Sequence, residues 1–256
     1  MMMKRIFPIV LLLAVASCGE GRQDQSLTLM SYNVGVFSKY QDNSMPEVAR
    51  LIRDSGADLV GLNELDSCNR RHADFQLKEL SDEMGGWPYL FASAFPFAGG
   101  GYGNGVLSSI EIQKSYRVAL PQGDGSEPRS MAVVETARCV FASLHLDHRS
   151  TAAALSQMQV VNDWFMGRYK GCSKPVFLCG DFNVTPDSEV IALAQTAWTL
   201  LSGTGNTHST THPRHCIDYI FSFRQAAPVE VEEARVLTED TASLSDHFPV
   251  LVRIRF

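Results

Sequence analysis

The chain has 256 residues, of which 45% are hydrophobic and 20% are charged. These values are typical of a globular protein and exclude a wholly disordered chain. The formal net charge is −6, which argues against a protein that binds bulk DNA by charge alone. The only long apolar run, at residues 6–16, is too short to cross a bilayer, so a multi-span membrane protein is excluded.

Residues 1–17 have the features of a secretory signal. Two basic residues precede an apolar stretch at residues 6–14, and small residues then lead directly to Cys18. This ending resembles the lipobox of bacterial lipoproteins, so we expect Cys18 to be lipidated and residues 18–26 to form a polar tether. The alternative is an ordinary cleaved signal in which Cys18 has no role.

The signal also predicts where the protein works, which is outside the cytoplasm and anchored to a membrane. Its removal would take away two basic residues and change the formal charge from −6 to −8. Gly19 follows Cys18 at the position where an Asp commonly retains lipoproteins at the inner membrane. The outer membrane is therefore favoured if the cell is Gram-negative.

Strand-like and helix-like segments mix without a second linker, which predicts one domain over residues 27–256. The predicted strands lie at residues 27–32, 58–62, within 106–120 and 131–146, and at 175–179, 217–223, 229–236 and 248–254. The predicted helices lie at residues 44–56, 72–84, 150–169 and 188–198. Apolar strands flanked by helices favour a layered α/β arrangement, with sheets packed face to face and helices outside.

Two local patterns add detail. Ser44 and Glu47 have the spacing of a capping box at the start of the first helix. Residues 99–105 are rich in glycine and predict a loop with tight turns, although they lack the Gly-Lys-Ser/Thr sequence of a P-loop. Three upstream aromatic residues are expected in the core, with a base-stacking platform as the alternative: Phe91, Phe95 and Phe97.

Five cysteines follow Cys18, and a compartment outside the cytoplasm permits disulfides. Because five is odd, at least one thiol is free or paired between chains, and the pairing stays open. We expect Cys179, at the end of an apolar run, to be a buried small residue. The five are Cys68, Cys139, Cys172, Cys179 and Cys216.

Several of the predicted strands end in polar residues that an apolar core would not favour. Each one alone is explained by a turn or by a hydrogen-bonded core histidine. Together, they would be costly to bury without mutual pairing or a metal ion. A shared site at one edge of the sheets would relieve that cost and supply oxygen ligands suited to Mg²⁺ or Mn²⁺. The residues are Asn33, Asn63, Glu64, His145, Asp181, Asn183, Asp218, Asp246 and His247.

The order of these motifs resembles that of the endonuclease/exonuclease/phosphatase family. The most specific parts are Gly-Asp-Phe-Asn at residues 180–183 and Ser-Asp-His at residues 245–247. The resemblance covers residues 27–256, nearly the whole mature chain. It implies a four-layer α/β sandwich, with two packed mixed sheets flanked by helices, and divalent-metal-dependent hydrolysis of phosphate esters. The remaining matching segments are Asn33, Asn63-Glu64, Tyr102-Gly103-Asn104, Ser143-Leu144-His145 and Ile217-Asp218-Tyr219.

The resemblance implies a role for each site residue. Glu64 would be the first metal ligand, Asn33 would orient the metal or a phosphate oxygen, and Asp246 would complete the metal shell. His247, paired with Asp218, would be either the general base or an imidazolium that faces a phosphate oxygen, and Asp181 would be the rival base. The other implied roles are phosphate contact by His145, positioning by Asn183, and substrate binding by Arg129, Tyr102 and Asn104; a solvated loop arginine is the alternative for Arg129.

Two positions depart from the family pattern. Asn63 stands where relatives often have Gln, and residues 151–155 lack an Arg that many relatives carry early in that helix. His145 occupies the position where abasic-site endonucleases of the family have Tyr, which resembles the phosphatase, sphingomyelinase and secreted deoxyribonuclease branches.

These features predict a lipid-anchored Mg²⁺- or Mn²⁺-dependent phosphoesterase that acts on a small phosphorylated metabolite or lipid head group. The acidic chain has no long basic insertion to bind a duplex, so nucleic acid is not the favoured substrate. A secreted nuclease is the first alternative. A non-catalytic binding lipoprotein that reuses the fold is the second. The substrate, the number of metal ions and the oligomeric state stay open.

Overall fold

The computed structural model describes residues 26–125 and 127–256. The predicted signal, Cys18 and the tether as far as residue 25 lie outside the described residues. The strands are β1 Ser26–Asn33, β2 Leu59–Ser67, β3 Tyr89–Phe97, β4 Gly100–Ser108, β5 Ile112–Leu120, β6 Arg129–Thr136, β7 Val140–His145, β8 Val176–Asp181, β9 Trp198–Leu200, β10 Asp218–Phe223, β11 Glu230–Val236 and β12 Val250–Arg255. The helices are α1 Met45–Ser55, α2 Gln76–Glu83, α3 Thr151–Tyr169 and α4 Glu189–Ala197.

The described strands form two six-stranded sheets with the orders β11-β12-β1-β2-β4-β3 and β5-β6-β7-β8-β10-β9. Strand β1 shows how its sequence builds the layers, because successive side chains point to opposite faces. Leu27 and Leu29 pack into the core between the sheets, whereas Met30 and Tyr32 pack beneath α1 and α2. Helices α3 and α4 cover the outer face of the second sheet. The fold is therefore the predicted four-layer α/β sandwich.

The strand register brings polar strand ends to one edge of the sandwich. Strands β1 and β2 run parallel, with Asn33 opposite Asn63. Strands β7 and β8 also run parallel, with His145 opposite Asp181. Strand β10 runs antiparallel to β8, so its first residue, Asp218, also lies opposite Asp181. The carboxyl ends of the parallel strands β1, β2, β7 and β8 therefore lie at one edge. The amino end of β10 lies at the same edge.

Helix α1 ends as predicted at Gly56, which adopts the left-handed conformation with φ of 67°. The predicted capping box is wrong, because the Ser44 hydroxyl makes no cap hydrogen bond. It donates instead to the carbonyl oxygens of Phe37, at 3.2 Å, and Leu244, at 3.0 Å. Ser44 therefore connects the start of the helix to two neighbouring loops.

Two predicted boundaries are wrong for tertiary reasons. Helix α2 begins at Gln76 rather than at residue 72, because the preceding turn is closed by a bridge between Ser67 and Phe75. Most of the glycine-rich run is strand β4 rather than a loop. A Cβ on Gly103 would lie 2.1 Å from the Ala92 carbonyl oxygen, so glycine here permits the close approach of β3.

The five cysteines of the described chain are free thiols. Cys179 is fully buried, as predicted. Its sulfur packs against Gly61, where an added Cβ would lie 2.2 Å from Sγ. Among the described helices, none combines the length and the apolar character that crossing a membrane requires.

Candidate active site

A cleft of about 310 Å³ opens at the edge where the polar strand ends meet. Both sheets contribute to it, since Glu64 and Tyr102 come from the first sheet and His145 and Asp181 from the second. Its lining comprises Glu64, Tyr102, Glu127, Arg129, His145, His148, Asp181, Asn183, His208, Ile217, Asp246 and His247.

Asp218 and His247 form a buried pair at the floor of the cleft. Asp218 Oδ2 lies 2.8 Å from His247 Nδ1, so the other ring nitrogen, Nε2, faces Asp181 at 3.6 Å. Burial alone would lower the pKa of His247, but the charges of Asp218 and Asp181 outweigh it and raise the pKa to about 10. His247 is therefore an imidazolium at neutral pH.

Thr207 orients Asp218 and was not among the predicted site residues. Its hydroxyl donates to Asp218 Oδ2 at 2.6 Å, and its Oγ1 accepts from the backbone N–H groups of Ile217 and Asp218. Thr207 lies in a polar stretch without a strand or helix pattern, so sequence offered no signal for it. The hydroxyl fixes which Asp218 oxygen meets His247.

Asp181 is the most enclosed carboxylate of the cleft. Its Oδ2 accepts from Asn33 Nδ2 at 3.0 Å, and its Oδ1 accepts from the Asn183 backbone N–H at 2.8 Å. Burial raises the pKa of Asp181 to about 7, with Asp218 adding to the rise and His247 opposing it. This carboxyl group therefore changes its protonation state close to neutral pH.

Glu64 and Asn33 meet at the ends of β2 and β1. Glu64 sits where the register of β2 against β4 shifts, and its φ of 59° is uncommon for a residue with a side chain. Asn33 Nδ2 donates to Glu64 Oε1 at 3.1 Å, while Asn33 Oδ1 accepts from the Gly35 N–H at 3.1 Å. Asn33 thus faces the carboxylates as a donor, and the predicted metal-ligand role would require its oxygen to leave Gly35.

Asp246 also lines the cleft and is paired with Lys39, whose Nζ is 2.6 Å from Oδ2. Burial favours the protonated carboxyl, but Lys39 and the charge of His247 outweigh it and lower the pKa of Asp246. Asp246 is therefore ionised across the neutral range. Lys39 belongs to no motif, and sequence reasoning missed it.

Asn63 and Asn104 support the cleft from behind. Asn63 Oδ1 accepts from the Asp181 backbone N–H at 3.0 Å, and its Nδ2 donates to the Leu144 carbonyl at 2.7 Å and to Asn104 Oδ1 at 3.2 Å. Asn104 is buried and donates to the Ser130 carbonyl at 2.8 Å. The structure therefore does not bring Asn104 to the cleft wall, where substrate binding was predicted, and uses it to connect the two sheets.

Arg129 and His145 complete the wall that faces Asp181. Arg129 is only 3% exposed, so it is not a solvated loop residue, and its Nε has no hydrogen-bond partner among the described residues. Burial, followed by the charges of Arg129, His247 and His148, holds the pKa of His145 well below its usual value. His145 is therefore a neutral imidazole, with Nε2 3.4 Å from Asp181 Oδ2.

Asn183 lies two residues after the end of β8 and has a φ of 55°. Its side-chain Nδ2 donates to the Leu146 carbonyl at 3.0 Å, and its backbone N–H binds Asp181. This arrangement ties the turn to the neighbouring strand end. Asn183 lines the cleft, and as placed it positions Asp181.

The donor groups of the cleft fit a hard divalent cation, because the carboxylates Glu64 and Asp246 both line it. Oδ1 of Asp218 is buried without a hydrogen-bond partner among the described residues, so it keeps free lone pairs. Two sets of three side chains have ligand atoms that lie, within each set, no more than 4.8 Å apart. One set is Asp181, Asp218 and His247, and the other is His208, Asp246 and His247. His208, a further residue that was not predicted, also packs against His247, with ring centroids 4.7 Å apart and ring planes tilted by 48°.

The fold has two packed sheets with outer helices, and its cleft combines carboxylates, histidines and one buried arginine. This combination is typical of α/β-sandwich hydrolases that act on phosphate esters. A model of the Endonuclease/Exonuclease/phosphatase family matches residues 30–247. The chain belongs to this family. Enzymes of the family depend on divalent metals, and the acidic and histidine cluster at the cleft could bind such an ion.

Solved structures share the fold at low sequence identity. A family member from Bacteroides thetaiotaomicron has a TM-score of 0.71 and 21% identity, and the match covers 91% of this chain and 99% of that chain. A mannosyl-6-phosphatase from the same organism has a TM-score of 0.73 and 22% identity, covering 90% and 100%. TDP2 of D. rerio, complexed with a single-strand DNA product, has a TM-score of 0.71 and 15% identity, covering 90% and 99%. No curated protein matches the chain.

Proposed function

We propose that the protein is a Mg²⁺- or Mn²⁺-dependent phosphoesterase, anchored outside the cytoplasm by a lipid on Cys18, that hydrolyses a small phosphorylated metabolite or a lipid head group. The observation that carries this proposal is the meeting of Glu64, Asp181, Asp246 and His247 in one cleft. A non-catalytic binding protein would not require this combination of buried carboxylates and a charged imidazole.

The first requirement of the reaction is to offset the charge of the phosphate. Glu64 and Asp246 would hold the cation, which when bound lowers the repulsion of the nucleophile and stabilises the developing oxyanion. Arg129 lines the cleft and adds a fixed positive charge there, which favours an anionic phosphate. His145, being neutral, donates or accepts a hydrogen bond there without adding charge.

The pKa values divide the proton-transfer roles between Asp181 and His247. With a pKa of about 7, Asp181 can take a proton from the attacking water near neutral pH. With a pKa of about 10, His247 carries its proton and donates from Nε2 to the phosphate or to the leaving oxygen. Asp218 holds Nδ1 and so directs Nε2 into the cleft. This favours Asp181 over His247 as the general base.

A small ester is favoured over nucleic acid as the substrate. The formal charge of −8 expected after signal removal repels polyanions, and a nuclease needs repeated phosphate contacts along its substrate. Structural neighbours include both a mannosyl-6-phosphatase and TDP2 with its DNA product, so a secreted nuclease remains the second candidate.

The activity is tested by measuring phosphate or alcohol release from monoesters, diesters and a plasmid during titration with Mg²⁺ and Mn²⁺. The full chain is compared with Glu64→Ala and His247→Ala, and with the matched controls Glu83→Ala and His212→Ala, which alter exposed residues outside the cleft. We expect loss of metal-dependent hydrolysis only in the first pair, with circular dichroism unchanged. No hydrolysis of any ester by the wild type, or equal losses in both pairs, would contradict the proposal.

The anchor is tested separately in cells. Wild-type protein should incorporate labelled fatty acid and partition into detergent, whereas Cys18→Ala should do neither. Incorporation that persists in Cys18→Ala would remove the anchor from the proposal without affecting the proposed reaction.

A further inference from the structure

Three aromatic rings extend the wall of the cleft beyond the catalytic groups. Tyr102 lines the cleft beside Glu64. Its ring centroid lies 5.3 Å from that of Phe95 and 6.2 Å from that of Phe97, and all three rings are only partly buried. We call Phe95, Phe97 and Tyr102 the ring cluster. Its continuity with the cleft places it where the alcohol part of a bound ester would extend.

The backbone of β3 and β4 builds this cluster. A register shift between Ser93 and Phe95 in β3 sets Phe95 directly opposite Tyr102 in β4. Side chains of directly opposed residues in an antiparallel pair lie on the same face, and the irregularity next to a cleft is a common way to redirect side chains. The sequence predicted that Phe95 and Phe97 lie in the core. This prediction is wrong, because both rings are partly exposed.

Arg71 packs onto the cluster and is held rigidly. Its Cζ lies 4.7 Å from the centroid of the Phe97 ring and 5.7 Å from that of Tyr102. Asp66, whose side chain is fully buried, accepts from Arg71 Nε at 2.7 Å and from Nη2 at 2.9 Å. Nη1 makes no hydrogen bond to a described residue, so its N–H groups remain at the rim of the cluster.

The charge of Arg71 is already paired at the ring cluster. Asp66 accepts the hydrogen bonds from both Nε and Nη2, so Arg71 itself is not an unpaired cation for a second phosphate. Arg129, by contrast, lines the cleft beside the catalytic groups. Flat aromatic faces with free N–H donors at the rim suit an uncharged ring that has an apolar face and hydroxyl or carbonyl groups at its edge.

We propose that the ring cluster and Arg71 form a subsite for an uncharged cyclic alcohol part of the substrate, such as a sugar or a nucleoside ring, whose phosphate lies in the cleft. This inference rests on the proposed function and narrows its substrate class. A linear ester, such as glycerol phosphate, would reach the cleft but would leave the rings uncovered.

The test compares three esters of primary alcohols with the full chain: a hexose 6-phosphate, a nucleoside 5′-phosphate and glycerol phosphate, each also as its methyl diester. Phe95→Leu and Phe97→Leu keep apolar volume and remove the ring face. We expect kcat/KM to fall about tenfold for ring-bearing esters, mainly through KM, as for loss of one stacking contact. Glycerol phosphate should be hydrolysed at an unchanged rate. The ring-bearing ester whose kcat/KM falls more identifies the kind of ring that the subsite binds.

Two further variants keep the result interpretable. Phe97→Tyr retains an aromatic face and should retain the preference for ring-bearing esters. Phe91→Leu changes a ring of the same strand that packs on Phe75, with centroids 5.3 Å apart, and should leave the ratio between esters unchanged. A purely structural role of the cluster would lower the rates for all esters together and would overturn the subsite.

Failure of the subsite and failure of the proposed function give different results. If the wild type hydrolyses glycerol phosphate as well as the ring-bearing esters, and Phe97→Leu changes nothing, the subsite is wrong and the hydrolase stands. If no ester is hydrolysed, calorimetric binding of the same esters decides: a ring preference that depends on Phe97 supports the subsite alone, and its absence overturns both.

Discussion

Replacing Asp218 by Asn is the sharpest perturbation of the catalytic pair. The change is nearly isosteric and leaves an oxygen for Thr207, but it removes the negative charge 2.8 Å from His247 Nδ1. The pKa of His247 should then fall from about 10 part of the way towards 6.5, because Asp181 still opposes burial but Asp218 no longer does. At about pH 9, where the wild-type ring keeps its proton, most of the variant's rings would lose it, and hydrolysis should fall about tenfold with the protonated fraction.

The size of the effect on stability follows from the same pKa. The rise from 6.5 to about 10 corresponds to about 5 kcal/mol, at about 1.4 kcal/mol for each pKa unit. Asp218 lies closer to His247 than Asp181 does, at 2.8 Å against 3.6 Å, so we assign it about half or more of this energy. Because the folded-state pKa is raised, the contribution is complete below pH 6.5 and is lost as the pH rises through about 10.

The assay combines ring NMR titration of His247 with urea unfolding in EDTA at pH 6, 8 and 10. Wild type should exceed Asp218→Asn in unfolding free energy by about 2–3 kcal/mol at pH 6, and the difference should shrink by pH 10. Asp163→Asn, at an exposed position on α3, serves as the control and should show no such trend. A difference that stays flat with pH, or a His247 that still titrates near 10 in Asp218→Asn, would refute the electrostatic argument.

Three further predictions concern single contacts. For Asp181, the rate should rise with pH through a midpoint at or below about 7, because the base must be ionised and a bound cation favours that form. Asp181→Asn should lower kcat/KM by at least about 10². A rate that falls between pH 5 and 8 would argue against Asp181 as the base. Thr207→Val removes the 2.6 Å hydrogen bond to Asp218 and should lower kcat about tenfold and stability by about 1–2 kcal/mol, as measured by steady-state kinetics and urea unfolding; an unchanged kcat would mean that this hydroxyl does not position the pair. Gly61→Ala places a Cβ 2.2 Å from Cys179 Sγ and should reduce the unfolding free energy by about 1–3 kcal/mol, with partial recovery when Cys179→Ala is added; no recovery in thermal melts would mean that the clash lies elsewhere.

The parts of the site that sequence predicted are those carried by strand ends. Asn33, Asp181 and Asp218 each terminate or begin a strand with a readable apolar pattern, and parallel neighbours must deliver such residues to one edge. Their motifs also resemble a known family. The position of each residue at the end of its own strand therefore follows from local patterns, whereas the packing of the two sheets brings Asn33 to Asp181.

The parts that sequence did not predict depend on contacts between distant segments. Lys39 meets Asp246 across more than two hundred positions of the chain, and Thr207 reaches Asp218 from a loop without periodicity. The donor orientation of Asn33 depends on the Gly35 N–H and two carboxylates acting together. The glycine content likewise predicted a loop where β4 lies. The close approach of Ala92 to Gly103, which requires glycine there, arises only when β3 and β4 pair. Propensity and motif spacing carry no information about such side-chain directions.

The hydrogen bond from the Asp181 backbone to Asn63 joins a residue of one sheet to a residue of the other. The reacting groups are therefore split across the sandwich, and neither half assembles them by itself. Slippage of one sheet over the other would separate Glu64 from Asp181 while each sheet kept its own hydrogen-bond ladder. Catalytic activity is therefore more sensitive to the alignment of the two sheets than circular dichroism is. On heating, activity should be lost before the circular dichroism spectrum changes.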